Sequence, residues 1–248
     1  MSNIVMSGFF YNLGKMLGPS VRKVRWAWLS VAGTEAEAIQ LENEVGKELA
    51  DEISHQLKIC SDPLFSKLIN ETGSRLTAYV ANKSRTFSFE IIEDSSPNAF
   101  ALPGGHIFVT RSLIELCQSN PDEIAFILGH EMGHVIRGHV MDRIITNSAI
   151  AIGANLASIR TPLMAWLKTA GINLLQSTYS QELELEADNL GARLAVAAGY
   201  SWKAPEILLS RLAKLHPADE GFSHYFSSHP MIQLRINKIN HILQQKPK

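Results

Sequence analysis

The chain has 248 residues, with 23 Lys+Arg against 24 Asp+Glu and a formal net charge of −1. That balance excludes broad electrostatic binding to nucleic acid, which needs a large basic excess. Hydrophobic residues make up 46% and charged residues 19%, the composition of a globular chain with a substantial core rather than a disordered one.

Residues 1–33 differ from the rest. Phe9, Phe10, Leu13, Met16 and Leu17 recur at near-helical spacing, interrupted by Gly8, Gly14 and Gly18-Pro19, and Arg22, Lys23 and Arg25 precede Trp26 and Trp28. The expected role is an N-terminal arm that packs its aromatics on the body. The alternative is peripheral contact of residues 1–28 with an anionic membrane surface, which basic residues beside Trp favour. The early basic residues and small-residue cleavage site of a secretory signal are not seen, so the expected location is cytoplasmic or peripheral to a membrane.

The body is expected to run from residue 34 to 248. Thr34-Glu35-Ala36-Glu37 is a capping box, with Thr and Glu each satisfying a backbone N–H of the other. It predicts a helix to about Ile59 with Ile39, Val45, Leu49, Ile53 and Leu57 on its apolar stripe. Asp62-Pro63 breaks that helix and predicts a short one to Asn70. Residues 76–81 and 86–93 read as strands joined by a turn at Asn82-Lys83-Ser84. Residues 99–102 and 106–110 read as two further extended pieces turning on Gly104-Gly105. From Arg111 onward the pattern is almost wholly helical. The most apolar stretch, residues 144–159, contains Thr146, Asn147, Asn155 and Ser158 and stops at Arg160. A buried or amphipathic helix is expected there rather than a membrane span, which needs about 20 apolar residues. Cys60 and Cys117 sit in apolar contexts and read as buried free thiols.

His130-Glu131-Met132-Gly133-His134 fits H-E-x-x-H. Two His at i and i+4 lie on one helix face and can hold the same zinc, and Glu131 projects beside them as a base for water. Asn120-Pro121-Asp122-Glu123 is a strong helix start, with an N-cap, Pro at N1 and acids in the first turn. It places the motif two to three turns inside a helix whose stripe is Ile124, Ile127, Leu128, Val135 and Ile136.

A catalytic zinc needs a third protein ligand and an open position. His139 is one residue short of the longer H-E-x-x-H-x-x-G-x-x-H spacing. On a continuing helix it is rotated about 140° from His134, so it reads as structural or as a support for a ligand. Glu182, Glu184 and Glu186 alternate in the segment before Asp188. If Leu183, Ala187, Leu190 and Leu194 form the apolar face, Glu184 and Asp188 flank one side with Gly191, Ala195 and Ala198. Glu186 falls on the other flank with Glu182 and Arg193. Glu184 is therefore the expected ligand. Asp188, one turn on, is placed to accept the free N–H of a zinc-bound His.

In order, Asn98–Gly105 (NAFALPGG), HEMGHVIRGH from His130, ELEAD from Glu184, and SSHP followed by Arg235 resemble the CAAX prenyl endopeptidase/HtpX/OMA-type zinc metallopeptidases. The resemblance implies an α+β fold: a mainly α-helical, zincin-like (gluzincin) domain with a small, mostly antiparallel sheet beside the active-site helix. It implies one zinc ion per chain on His130, His134 and Glu184, with Glu131 as base and Asp188 behind a ligand. It implies an endopeptidase acting on extended or misfolded protein chains. Asn98, Ala99, Phe100 and Ala101 would form the edge strand on which substrate adds as a further strand. Ser228-His229-Pro230 reads locally as a helix start. By resemblance His229 lies near the zinc, either donating to the developing oxyanion or filling the open zinc position and holding the enzyme latent. Arg235 resembles a family Arg that buttresses the site. The competing reading is a chaperone or adaptor with a closed zinc site that binds exposed strands without cutting. Unlike the membrane-embedded members, this chain shows no defensible spanning helix, so it resembles the compact soluble branch. Residues 216–227 read either as an aromatic lid or as a loop packed on the body.

Overall fold

In the computed structural model of the chain, residues 34–148, 179–214, 229 and 232–244 are described. The arm at residues 1–33, most of the apolar stretch 144–159 and the aromatic loop 216–227 lie outside the described residues. Helix α1 spans Glu35–Gln56 and opens on the expected box: the Glu37 N–H donates to Thr34 Oγ1 at 3.2 Å and the Thr34 N–H donates to Glu37 Oε2 at 2.9 Å. Leu57 caps its end, and Ile59 forms an antiparallel bridge with Ile92.

Helix α2, Pro63–Ala78, starts where Asp62 Oδ1 accepts from the Leu64 N–H. It continues past the expected stop at Asn70, so residues 76–78, expected to begin a strand, are its last turn. The buried positions Ile69, Thr72, Gly73 and Leu76 keep a spacing of three and four, which is helical. Gly73 lets the helix lie against Phe89, whose ring is 2.3 Å from where a Cβ would be. Packing across to that residue, far along the chain, overrides the weak local strand preference of Leu-Thr-Ala-Tyr-Val.

Three strands follow: β1 Ser88–Ile92, β2 Ala99–Ala101 and β3 His106–Thr110, in the order β1-β3-β2. The sheet is small, as expected, but mixed. β3 pairs in parallel with β1 and antiparallel with β2. A short 3₁₀ turn, Pro103–Gly105, joins β2 to β3, with Gly104 at φ 71° and Gly105 at φ 86°, conformations that disfavour any residue with a Cβ.

The remaining described elements are helical: α3 Arg111–Leu116, α4 Pro121–Ile136, α5 His139–Ser148, α6 Gln181–Ala197, α7 Ala204–Leu212 and α8 Ile232–Gln244. Helix α4 starts at the Asn120 cap, and every residue from Glu123 to Val135 is buried. It is enclosed by α2, α6, α7 and the β2 side of the sheet, so burial extends well beyond the single stripe that periodicity predicts. Buried Glu123 is answered by a bidentate pair with Arg211 of α7 at 2.9 and 3.0 Å. Cys60 and Cys117 are buried free thiols. Among the described residues no helix is long and apolar enough to cross a membrane.

Candidate metal centre

The site is made by α4 and α6 crossing at small residues. A Cβ on Gly191 would come within 2.5 Å of the His130 backbone nitrogen. One on Gly129 would lie 2.8 Å from the Gly191 carbonyl oxygen, and one on Gly133 would lie 2.9 Å from that of Ala187. The absence of side chains lets the two backbones touch. The buried face of α6 follows from this contact: Glu184, Ala187, Asp188, Gly191, Ala192, Leu194 and Ala195 are buried. Leu183 and Leu190, expected at its centre, are only half-buried. Close backbone approach shifts the face toward the small residues and brings Glu184 and Asp188 against α4. Glu182, Glu186 and Arg193 are exposed, as the wheel predicts.

His130 and His134 project from one face of α4 with their Nε2 atoms 3.1 Å apart. Glu184 Oε1 lies 3.3 Å from His134 Nε2, and Glu184 Oε2 lies 3.6 Å from His130 Nε2. His229 Nδ1 is 3.1 and 3.2 Å from the two Glu184 oxygens and 3.3 Å from His130 Nε2. One donor atom from each of these four buried residues falls within 4.8 Å of all the others. Three imidazoles and a carboxylate, all nitrogen and oxygen donors, are a donor set that suits zinc. Glu131, also buried, turns its Oε1 to 3.5 Å from His229 Nε2.

Behind the cluster, His130 Nδ1 lies 2.8 Å from Asp188 Oδ1. Arg235 of α8 holds that carboxylate bidentately, with Nε donating to Oδ2 at 2.8 Å and Nη2 to Oδ1 at 2.7 Å. Arg235 Nη1 also lies 3.1 Å from Glu184 Oε2. The side chains of Glu184, Asp188 and Arg235 are each about 1% exposed, so their charges are balanced within the protein and not by water.

The electrostatics shift the three carboxyls in opposite directions. Burial raises the pKa of Glu184, but His229, Arg235 and His130 outweigh it and hold Glu184 well below the usual carboxylate range. Asp188 is pushed up by burial and pulled lower overall by Arg235. Glu131 lacks comparable partners: burial dominates over His229 and His130, and its pKa is raised, the direction a general base near neutral pH requires. Burial drives His134 well below its ordinary value, keeping the neutral form that ligates metal. Burial lowers His229, yet the Glu184 and Glu131 carboxylates outweigh it and raise its pKa.

A tyrosine and an arginine stack outward from His134 in turn. Tyr179 stacks on the His134 ring, with centroids 3.9 Å apart and planes at 19°, and the Arg143 guanidinium lies over the Tyr179 ring, 4.3 Å from its centroid. No spacing rule points to Tyr179, and sequence reasoning missed it. Asn98 and β2 lie at the outer edge of the sheet on the α4 side. Asn98 and Leu102 face β3, exchanging bonds with Thr110 and His106. Alternation along an antiparallel pair then turns the N–H and C=O of Ala101 away from β3. Ala99, Phe100 and Ala101 are themselves buried.

A mainly helical α+β fold with H-E-x-x-H on one helix and a Glu on a later helix packed against it defines the zincin-like class. The profile of Peptidase family M48 matches residues 64–243, and the chain belongs to that family. It is similar to the mitochondrial metalloendopeptidase OMA1 of Schizosaccharomyces pombe, 28% identical over 178 residues that cover 71% of this chain and 52% of that protein. OMA1 of Arabidopsis thaliana is 32% identical over 145 residues, covering 58% and 29%. Metalloprotease LoiP of Escherichia coli (strain K12) is 28% identical over 220 residues, covering 84% of each chain. The chain spans about half or less of the length of the two OMA1 proteins.

Proposed function

We propose that the chain is a zinc metalloendopeptidase that hydrolyses extended or misfolded protein substrates. The observation that carries this reading is the buried convergence of His130, His134 and Glu184 with Glu131 beside them. One zinc ion held by His130, His134 and Glu184 would supply the Lewis acidity that makes a water nucleophilic near pH ~7 and polarises a peptide carbonyl. Glu131 takes the proton of the attacking water and returns it to the leaving nitrogen. Asp188, held by Arg235, accepts the Nδ1–H of His130 and keeps its Nε2 turned to the metal. Substrate adds to β2 as a further strand through the main-chain groups of Ala101.

His229 supports two roles. Its Nε2, 3.5 Å from Glu131 Oε1, lies beside the base, where an imidazole N–H would donate to the developing oxyanion. Its place among the four donors equally suits a fourth ligand that closes the site. That closure is what favours the second reading, a latent protein that binds exposed strands without cutting. Incubating the full chain with reduced, unfolded casein separates the readings. The endopeptidase reading expects fragments whose appearance stops with 1,10-phenanthroline and returns with zinc. Glu131→Gln should keep stoichiometric zinc and lose cleavage by about 10²-fold or more. Zinc-loaded wild-type protein that binds casein but never cuts it would favour the latent reading.

A further inference from the structure

Among the described groups around the donor cluster, His130 has its support in Asp188 and Arg235, whereas His134 faces a different residue. Its Nε2 points into the cluster, 3.1 Å from His130 Nε2 and 3.3 Å from Glu184 Oε1. Its Nδ1 points out, 3.1 Å from Nδ1 of buried His139. We infer that His139 is a positioning residue for the metal: it accepts a hydrogen bond from His134 Nδ1–H and passes the constraint through its own Nε2–H to Glu186.

The assignment of hydrogens follows from valence. A neutral imidazole carries one N–H. If His134 Nε2 binds metal, its hydrogen is on Nδ1, so the nitrogen it faces must be a bare acceptor. His139 then carries its hydrogen on Nε2, which lies 3.5 Å from Glu186 Oε2. Fixing the tautomer and ring plane of a ligand in this way raises its basicity toward the metal. The stack of Tyr179 on the same ring limits its tilt.

The backbone is built to bring His139 there. Were α4 to continue, His139 would be turned away from His134. Instead α4 ends at Ile136 and Gly138 takes φ 77°, a left-handed residue that ends a helix at little cost only in Gly. Helix α5 begins at once at His139, returning its ring to the back of His134 with centroids 5.1 Å apart. The histidine that falls one position short of a ligand spacing thus sits behind a ligand. Glu186, the outer neighbour of Glu184, lies at the surface end of the chain, its side chain 47% exposed.

This inference rests on the zinc reading and is tested by metal binding, not by turnover. Zinc affinity of the full chain is measured by competition with a chromophoric chelator for wild type, His139→Leu and His139→Asn. An Asn carbonyl oxygen occupies the branch position of Nδ1 and preserves the acceptor. Loss of the acceptor in His139→Leu should weaken zinc binding by about 10–100-fold, with His139→Asn within roughly threefold of wild type. Equal losses in both variants, or none in either, overturn the assignment. Long-range ¹H–¹⁵N spectra of the zinc-loaded wild-type imidazoles give an answer that needs no variant to fold: His139 should show the Nε2–H tautomer, and an Nδ1–H signal overturns it. Wild-type protein that binds no zinc sinks the metallopeptidase reading and this one together. Tight wild-type binding insensitive to His139 sinks this one alone.

Discussion

Glu184 and Glu186 sit two positions apart on α6 in opposite surroundings. Glu184 is buried against three imidazoles and Arg235, whereas Glu186 is exposed with His139 at 3.5 Å. Glu184→Ala should therefore reduce zinc retention by orders of magnitude after dialysis, as read by metal analysis. Glu186→Ala should change it by no more than a few fold, since it removes only a weak, solvated support. Asp188 separates structure from chemistry. Its carboxylate neutralises Arg235 in a site where each side chain is about 1% exposed. Asp188→Ala removes the bidentate partner of that buried guanidinium and leaves it the Glu184 carboxylate at 3.1 Å, and metal-free protein should lose about 3 kcal/mol in urea unfolding. These three acids are all written in one short segment, and a helical wheel is enough to assign Glu184 and Asp188 to the inner flank. The wheel says nothing of Arg235, because its partner is 47 residues away.

At the level of elements, the site depends on how closely α4 and α6 approach. Gly129, Gly133 and Gly191 line that crossing, and a Cβ on Gly191 would meet the backbone nitrogen of His130 itself. Gly191→Ala must push the helices apart. It should cost about 1–3 kcal/mol and weaken zinc binding at the same time, because the two halves of the ligand set ride on different helices. Circular dichroism melts and chelator competition on one sample check both effects. Caps and periodicity make α1 and α4 legible: Thr34 and Asn120 mark where they begin. The same local rules misread the end of α2, where Leu76-Thr77-Ala78 looks strand-like. There Gly73 against Phe89 and buried Leu76 keep the chain helical, a contact between residues that no short window contains.

Across the whole molecule, the clustered donors that could hold a metal come from α4, from α6 some fifty residues later, and from His229 just before α8. Metal that bridges them binds only the folded chain, so it must stabilise the fold by linkage. Saturating zinc, at roughly a thousand times its dissociation constant, should raise the melting temperature by roughly 10 °C. EDTA should reverse the shift, and Glu184→Ala should abolish it in a thermal scan. The sequence by itself determined the two His of one helix face, the Glu between them, the inner carboxylates of α6 and the helix starts. All of these follow from periodicity and capping within a turn or two. Only the tertiary structure decided the helical end of α2, the mixed pairing of the sheet, the stacking of Tyr179, the bidentate hold of Arg235 and the place of His139 behind His134. The first rests on Gly73 against Phe89 and the last on left-handed Gly138, and in all of them energy is set by what meets across the fold and not by what is adjacent along the chain.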